Sequence, residues 1–387
     1  MMKQFKLILL FIVVWRLTLF LVGLVADGFI PYHPTFPYVD TYLSVSLLPR
    51  WFYSWGNFDG VHYLTIAQKG YFGTGLIQAF FPLFPLLISV LINLKIPSLL
   101  ASLLVSNLFL LGSAVTWIIL FTKEFNKKIA WLSLIILLLF PSSFFLGAIY
   151  NESLFLFLTL QAFYWSKEKK WGLVCLFSIL ASSTRLVGIF LVPALLLENW
   201  QGLSLSYSFK NAKIWIKREY KNIILILLGG LGLVLYMSYL QLKFNDAFYF
   251  LHVQAEFGAG RQETLVLWPQ VLWRYFKILI TYQPHDWKFF AIVQELILSI
   301  FGLVGILLAL KKIRWSYLIF ALGAYVLPTL TGTFSSMPRY ILVCFPLYLW
   351  LALVLEKHPR WQIAWLLTSG FLLVLNTMLF IQGYWVS

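Results

Sequence analysis

The residues best suited to chemistry are few and widely spaced. Asp59 and His62 lie three apart in "WGNFDGVHYLTIAQKGYF", residues 55–72, so on a helix they share a face. A carboxylate beside an imidazole can take a proton from a hydroxyl. The run Asn57-Phe58-Asp59-Gly60 also suits a turn or a helix cap, and His62 suits packing on Trp55. Glu152 in "NESLF", Arg185 in "SSTRLVG" and Arg339 in "MPRY" are ionisable residues in apolar surroundings. Charge at membrane depth is costly, so each is a candidate for function. Taken singly, each has a plainer role. Glu152 with Asn151 would cap a helix, Arg185 would pair with Glu152, and Arg339 would anchor at an interface. Arg16, in the first apolar run, would snorkel or pair with a neighbour.

Around these residues the chain is built for lipid. It has 387 residues, 61% of them hydrophobic and 11% charged; soluble domains carry about 25% charged residues. A mean hydropathy of +0.85 and repeated apolar runs place it among all-α polytopic membrane proteins. The net charge of +15 does not indicate nucleic acid, because the basic residues fall in short segments between apolar runs. Cys175 and Cys344 sit in apolar runs and read as small buried hydrophobes. The sequence contains no HExxH, CxxC, GxSxG, phosphate-loop or DxD pattern, so neither a cofactor nor a metal is expected.

Six short basic segments set the orientation: 3–6, 123–128, 167–170, 210–221, 311–314 and 356–360. They are assigned to the cytoplasm. The crossings then fall near 5–26, 98–121, 129–147, 151–166, 171–184, 187–199, 222–243, 289–310, 316–331, 339–355 and 361–383, about eleven in all. Residues 79–94, with Pro82 and Pro85 near their start, are expected to form a re-entrant or surface helix. The pieces 171–184 and 187–199 are either a broken pair meeting near Arg185 or one long helix. The whole chain, 1–387, reads as one transmembrane domain with two helical outer loops, 27–97 and 244–288. In this topology Asp59, Glu152, Arg185 and Arg339 share the outer face, together with Gln78, His252 and Arg261.

The blocks "NFDGVHYLTIAQKGY", "QAFFPLFPLL", "NESLF", "SSTRLVG" and "MPRYILVCFPLYLWLA" occur in that order. Together they resemble the PIG-V-like mannosyltransferases, a group that includes GPI mannosyltransferase II and belongs to the GT-C glycosyltransferases. The resemblance spans about residues 10–355. The family usually has Trp before the motif Asp, where this chain has Phe58 with Trp55 nearby. The resemblance implies a GT-C-like bundle with its active site on the extracytoplasmic face; the short chain and modest loops point to a prokaryotic plasma membrane, with the ER membrane the setting in a eukaryote. It implies a polyprenyl-phosphate sugar donor, most often one bearing mannose, and a lipid-linked or other glycan acceptor; a small accessory membrane subunit is compatible with it but not required. At the position of the catalytic acid it places Asp59.

On this reading Asp59 is the base of an inverting transfer, and Arg339 and Arg185 stabilise the leaving phosphate. Glu152 holds an arginine or contacts the sugar, and His62 orients Asp59 or contacts a hydroxyl. Gln78, His252 and Arg261 help shape the donor or acceptor cavity. The rival class is a transporter or lipid flippase, which also keeps charges within the membrane. A subunit that has lost catalysis is a third reading.

Overall fold

The computed structural model describes residues 2–203, 206, 208–256, 260–262, 264–282 and 287–386, and these are helical with connecting loops. In chain order the main helices are α1 (Met2–Ala26), α2 (Asp59–Lys69), α3 (Leu83–Asn93), α4 (Ser98–Glu124), α5 (Lys127–Leu138), α6 (Glu152–Lys167), α7 (Trp171–Ser182), α8 (Leu191–Gln201), α9 (Phe209–Leu227), α10 (Leu231–Phe244), α11 (Tyr249–Glu256), α12 (Trp268–Thr281), α13 (Trp287–Ala309), α14 (Trp315–Thr329), α15 (Phe345–Leu355) and α16 (Pro359–Ile381).

Among the described residues five helices are long and apolar enough to cross a membrane: α1, α4, the continuous rod Lys210–Phe244, α13 and α16. The segments Met337–Val343 and Phe345–Leu355, bent by 81°, form a sixth if taken as one broken span. The polytopic all-α expectation therefore holds, but the other expected crossings are shorter than the ~20 residues a straight span needs. The segment 129–147 is helical only to Leu138 before a turn at Ser143–Leu146. The piece expected at 187–199 begins with a 3-10 turn, Leu186–Phe190, and α7 stops at Ser182, so the chain is broken around Arg185. The physical reason is common to these breaks: each sits where a loop delivers a polar residue to the site. Residues 79–94 contain only the 11-residue α3, with Pro82 just before its first residue.

Side chains on the long helices divide by environment. Leu10, Leu17 and Leu21 of α1 and Leu367 and Phe371 of α16 are exposed, a surface that suits lipid tails. Inside, small polar residues let helices approach. Ser153 Oγ donates to Ser106 O at 2.8 Å and Ser113 Oγ to Ser153 O at 3.1 Å, forming a seam between α4 and α6. The loop from 139 to 151 is tied down on several sides. Ser369 Oγ donates to Leu139 O (2.8 Å), Asn376 Nδ2 to Pro141 O (3.0 Å), and Ser142 Oγ to Pro338 O (2.6 Å). That loop leads straight into Glu152.

At the far end of α6 lies a second ionic cluster. Arg314 Nη2 donates to Glu198 Oε1 at 2.7 Å, and Lys167 Nζ lies 3.2 Å from the same oxygen. Ser316 Oγ donates to Glu198 Oε2 and Tyr317 Oη to Glu124 Oε2, both at 2.5 Å. These contacts gather the ends of α4, α6, α8 and α14 that carry the basic segments 123–128, 167–170 and 311–314.

Arg16 is buried, and its guanidinium lies over the rings of Trp55 (3.8 Å) and Phe20 (4.1 Å). It does not snorkel, and among the described residues it forms no ion pair, because aromatic faces close over it before it can reach water. Gly232 lets α10 pack tightly on the end of α7: an added Cβ would stand 2.1 Å from Ile179 O and 2.3 Å from Ser183 Oγ. Gly232→Ala should lower stability by about 1–3 kcal/mol through overpacking. Gly75→Ala, which would meet nothing within 4 Å, should leave it unchanged. Thermal unfolding of the detergent-solubilised variants compares the two directly.

Candidate active site

The site is assembled from four chain segments far apart in sequence. The first begins with a strained residue. Phe58 has φ 57° and ψ −118°, an unfavourable backbone for a side chain with a Cβ. Its ring is held by Phe36 (4.6 Å between centroids), Trp385 (5.3 Å) and Phe380 (5.9 Å). Asn57 Nδ2 donates to Phe380 O at 2.8 Å, anchoring the same turn to the end of α16. Tyr150 Oη donates to Asn57 O at 2.9 Å and accepts the Asp59 N–H at 3.2 Å. Helix α2 starts at Asp59 itself, and no side chain caps it. The expected capping role of Asp59 is therefore not adopted, because its carboxylate is directed to an arginine.

Arg339 Nη1 donates to Asp59 Oδ2 at 2.5 Å, and Arg339 Nε lies 3.2 Å from Glu152 Oε1. Arg185 Nη1 donates to that same Glu152 oxygen at 3.1 Å. The four charges thus form one neutral chain, Asp59–Arg339–Glu152–Arg185. Its members are largely shielded: side-chain exposure is 1% for Glu152, 9% for Arg339, 10% for Arg185 and 20% for Asp59. Charges this deep persist because they are paired. The Tyr340 ring lies 5.0 Å from the Arg185 guanidinium and 5.3 Å from that of Arg339, and Tyr150 lies 5.2 Å from Arg339. Asn151 does not cap α6; its Nδ2 donates to Thr184 O at 3.0 Å, tying the Glu152 and Arg185 segments together. One carboxylate oxygen of the chain, Glu152 Oε2, is buried with no hydrogen-bond partner among the described residues and retains capacity to accept one.

The remaining sequence candidates are distributed differently. His62 is buried and stacks on Phe80 (5.1 Å, 26°), with Tyr38 edge-on at 6.4 Å; among the described residues these are its ring neighbours and not the expected Trp55, which is taken by Arg16. Burial pushes the His62 imidazole pKa down, and the opposing pull of Asp59 does not overcome it. Gln78 is buried in a packing role. Its Nε2 donates to Tyr71 O at 2.9 Å, and its carbonyl accepts Tyr236 Oη at 2.7 Å, pinning the outer loop to α10. Arg261 Nη1 donates to Gln254 Oε1 at 3.0 Å, and its charge acts on Asp59. His252 pairs with Asp246 at 2.7 Å with its side chain 55% exposed. Residues 257–259 and 263 of that loop lie outside the described residues.

Sequence reasoning missed Tyr150 and Asn57, which orient Asp59, and a further buried acid, Glu295 in α13. Tyr275 Oη donates to Glu295 Oε2 at 2.7 Å and Trp385 Nε1 to Oε1 at 3.3 Å. Tyr275 Oη also accepts the Phe334 N–H at 3.1 Å, steadying the loop that precedes Arg339. The readable signal was an acid inside an apolar helix of 23 residues. Among the described residues no group of three or more His, Cys, Asp or Glu side chains is arranged to hold a metal.

The family model for mannosyltransferase (PIG-V) matches residues 3–249. The chain belongs to this family. It is accordingly a multi-pass membrane mannosyltransferase, which favours an enzyme over the transporter alternative. The matched region of the mannosyltransferase holds Asp59, His62, Gln78, Glu152 and Arg185. It ends before His252, Arg261, Glu295 and Arg339, and so short of the "MPRY" block that the resemblance included. No curated protein matches the chain.

For Asp59, burial pushes the carboxyl pKa up, but the charge and hydrogen bond of Arg339, aided by His62 and Arg261, outweigh it and hold the group below the usual carboxylate range. A carboxyl depressed in the folded state stabilises the fold above its unfolded pKa, about 3.9, and that contribution is lost as pH falls through the lower folded value. The melting-temperature gap between wild type and Asp59→Asn should stay constant from neutral pH to about pH 5 and close only below about pH 4. A gap that closed between pH 7 and 5 would contradict the ion pair.

Proposed function

We propose that the enzyme transfers a hexose, mannose by its family, from a polyprenyl-phosphate donor to a hydroxyl of an extracytoplasmic glycan or glycolipid acceptor. The observation that carries this reading is the shared Arg339 guanidinium, placed between Asp59 and Glu152 with Arg185 on the same carboxylate. A carboxylate positioned beside guanidinium groups suits a reaction in which a proton is removed and a phosphate departs.

In this mechanism the acceptor oxygen attacks the anomeric carbon and its proton passes to Asp59. The bond from that carbon to the phosphate oxygen breaks, the electron pair leaves with the polyprenyl phosphate, and the anomeric configuration inverts. Arg339 and Arg185 take the developing phosphate charge, for which the planar guanidinium is well matched. The Asp59–Arg339 pair has a further consequence. While Arg339 holds it, Asp59 is a weak base. A donor phosphate competing for Arg339 would loosen that pair and raise the basicity of Asp59, so activation would follow donor binding. Glu152 keeps both arginines in place, and the neutral His62 borders the carboxylate.

The charge distribution supports an extracytoplasmic site. Lys167, Arg314 and the basic segments beside them lie at the opposite end of α6 from Glu152, and excess Lys and Arg mark the cytoplasmic side. The membrane would then be the plasma membrane of a prokaryote or the ER membrane of a eukaryote.

The test is transfer in proteoliposomes with labelled polyprenyl-phosphate mannose and a lipid extract of the host. Asp59→Asn should reduce turnover by roughly 10²–10⁴-fold, the usual contribution of a general base. Arg339→Lys, which keeps the charge and loses the planar fork, should also lower turnover. Undiminished transfer by a folded Asp59→Asn protein would remove Asp59 from the role of base.

A further inference from the structure

A pocket of about 330 Å³ is lined by His33, Thr35, Trp287, Lys288, Tyr384 and Trp385. Its size lies near the lower end of the ~300–1,000 Å³ of small-molecule sites. It forms where three helices end: the loop after α1, the start of α13 and the tail after α16. His33 N–H donates to Gln382 O at 2.8 Å, and Thr35 N–H and Oγ1 donate to Gly383 O at 3.2 and 3.0 Å. Gly383 has φ +83°, and an added Cβ would stand 2.7 Å from Pro34 Cα, so the loop and the tail are closely seated.

The lining has a particular chemistry. Three aromatic rings, Trp287, Tyr384 and Trp385, stand with an imidazole, an ammonium and a hydroxyl. A pyranose ring has an apolar C–H face and an edge of hydroxyls. Tryptophan and tyrosine offer flat, amphipathic surfaces to the first, and His33, Lys288 and Thr35 offer hydrogen-bonding groups to the second. No arginine is among the lining residues, so the pocket differs from the guanidinium-rich centre suited to the donor phosphate.

The pocket is also joined to Asp59. Trp385 forms part of its wall, and its ring meets Phe58 edge-on at 5.3 Å. Phe58 immediately precedes Asp59 and carries the strained backbone that aims it. Trp385 is fixed from behind by the hydrogen bond to Glu295. Through Phe58, this wall is in contact with the turn that carries Asp59.

We propose that this pocket is the saccharide subsite of the acceptor, resting on the transferase reading above, and that Trp287 and Lys288 determine acceptor recognition. Both residues are exposed at the start of α13, so substitution there leaves the core untouched. The experiment is saturation-transfer NMR on the full chain in phospholipid nanodiscs, free of sugar-headed detergents. The probes are methyl α-D-mannopyranoside and methyl β-D-glucopyranoside, with sorbitol as reference. The ring protons of at least one glycoside should receive more saturation than sorbitol. Trp287→Ala should weaken that binding by roughly five- to tenfold, the loss of one aromatic contact. The double variant Trp287→Ala/Lys288→Ala should fall to the sorbitol level, while Trp287→Phe and Asp59→Asn keep the signal. The proposal is overturned if neither glycoside exceeds sorbitol, or if the signal survives in the double variant. Binding here does not depend on turnover. Failure of the transferase reading would leave the signal intact, and failure of this subsite would leave Asp59-dependent transfer intact.

Discussion

The sharing of one buried guanidinium between two carboxylates is the constraint around which the molecule is arranged. Arg339 reaches Asp59 and Glu152, and Glu152 reaches on to Arg185. These residues come from four segments separated by tens to more than a hundred positions. None of the four can be buried alone without a large penalty, so each segment depends on the arrival of the others. The interruptions of the helical bundle follow from this. Helix α7 ends at Ser182 so that Arg185 can turn inward, the chain bends by 81° just beyond Arg339, and the 139–151 loop brings Glu152 to the start of α6.

Helix α6 links this neutral chain to a second cluster at its other end. Lys167 meets Glu124 and Glu198 there, and Arg314 meets both acids. The two clusters differ in their surplus charge. The Lys167 end is surrounded by additional lysines, whereas the Asp59 end balances two acids with two bases. That asymmetry suits the proposed orientation, with the Lys167 end cytoplasmic and the proposed substrate chemistry at the other. The serine seam between α4 and α6 keeps the link stiff through close backbone approach.

Much of this was legible in the sequence, for a physical reason. An ionisable side chain in an apolar run is conspicuous, and Asp59, Glu152, Arg185 and Arg339 could be singled out on that ground. Their convergence could be expected from the alternation of basic and neutral connections. Residues in loops rich in polar neighbours carried no such contrast. His252 pairs locally with Asp246, and Gln78 holds a loop, because many arrangements can satisfy a polar group near water. Helix lengths were also poorly legible, since hydropathy records where a segment is apolar and not where it kinks to deliver a side chain. Glu295 was overlooked although it obeyed the same rule as the others. Tyr150 gave no signal, because an aromatic residue in an aromatic-rich chain reveals nothing of the two backbone groups its hydroxyl holds.

Arg16 bears on how such a chain is assembled. It sits within α1, and a cation at the centre of a lone inserting helix costs about 2.5–3.5 kcal/mol. The apolar residues around it carry it into the bilayer nonetheless. Phe20, one turn away, covers one side of the guanidinium at once, but Trp55 lies beyond the helix in the outer loop. Helix α1 is therefore sheltered incompletely by its own residues, and its cover is finished only when that loop folds back over it. The same fold-back sets the Trp55–Asn57–Asp59 turn, so completing the cover of α1 and forming the turn that carries Asp59 are a single event.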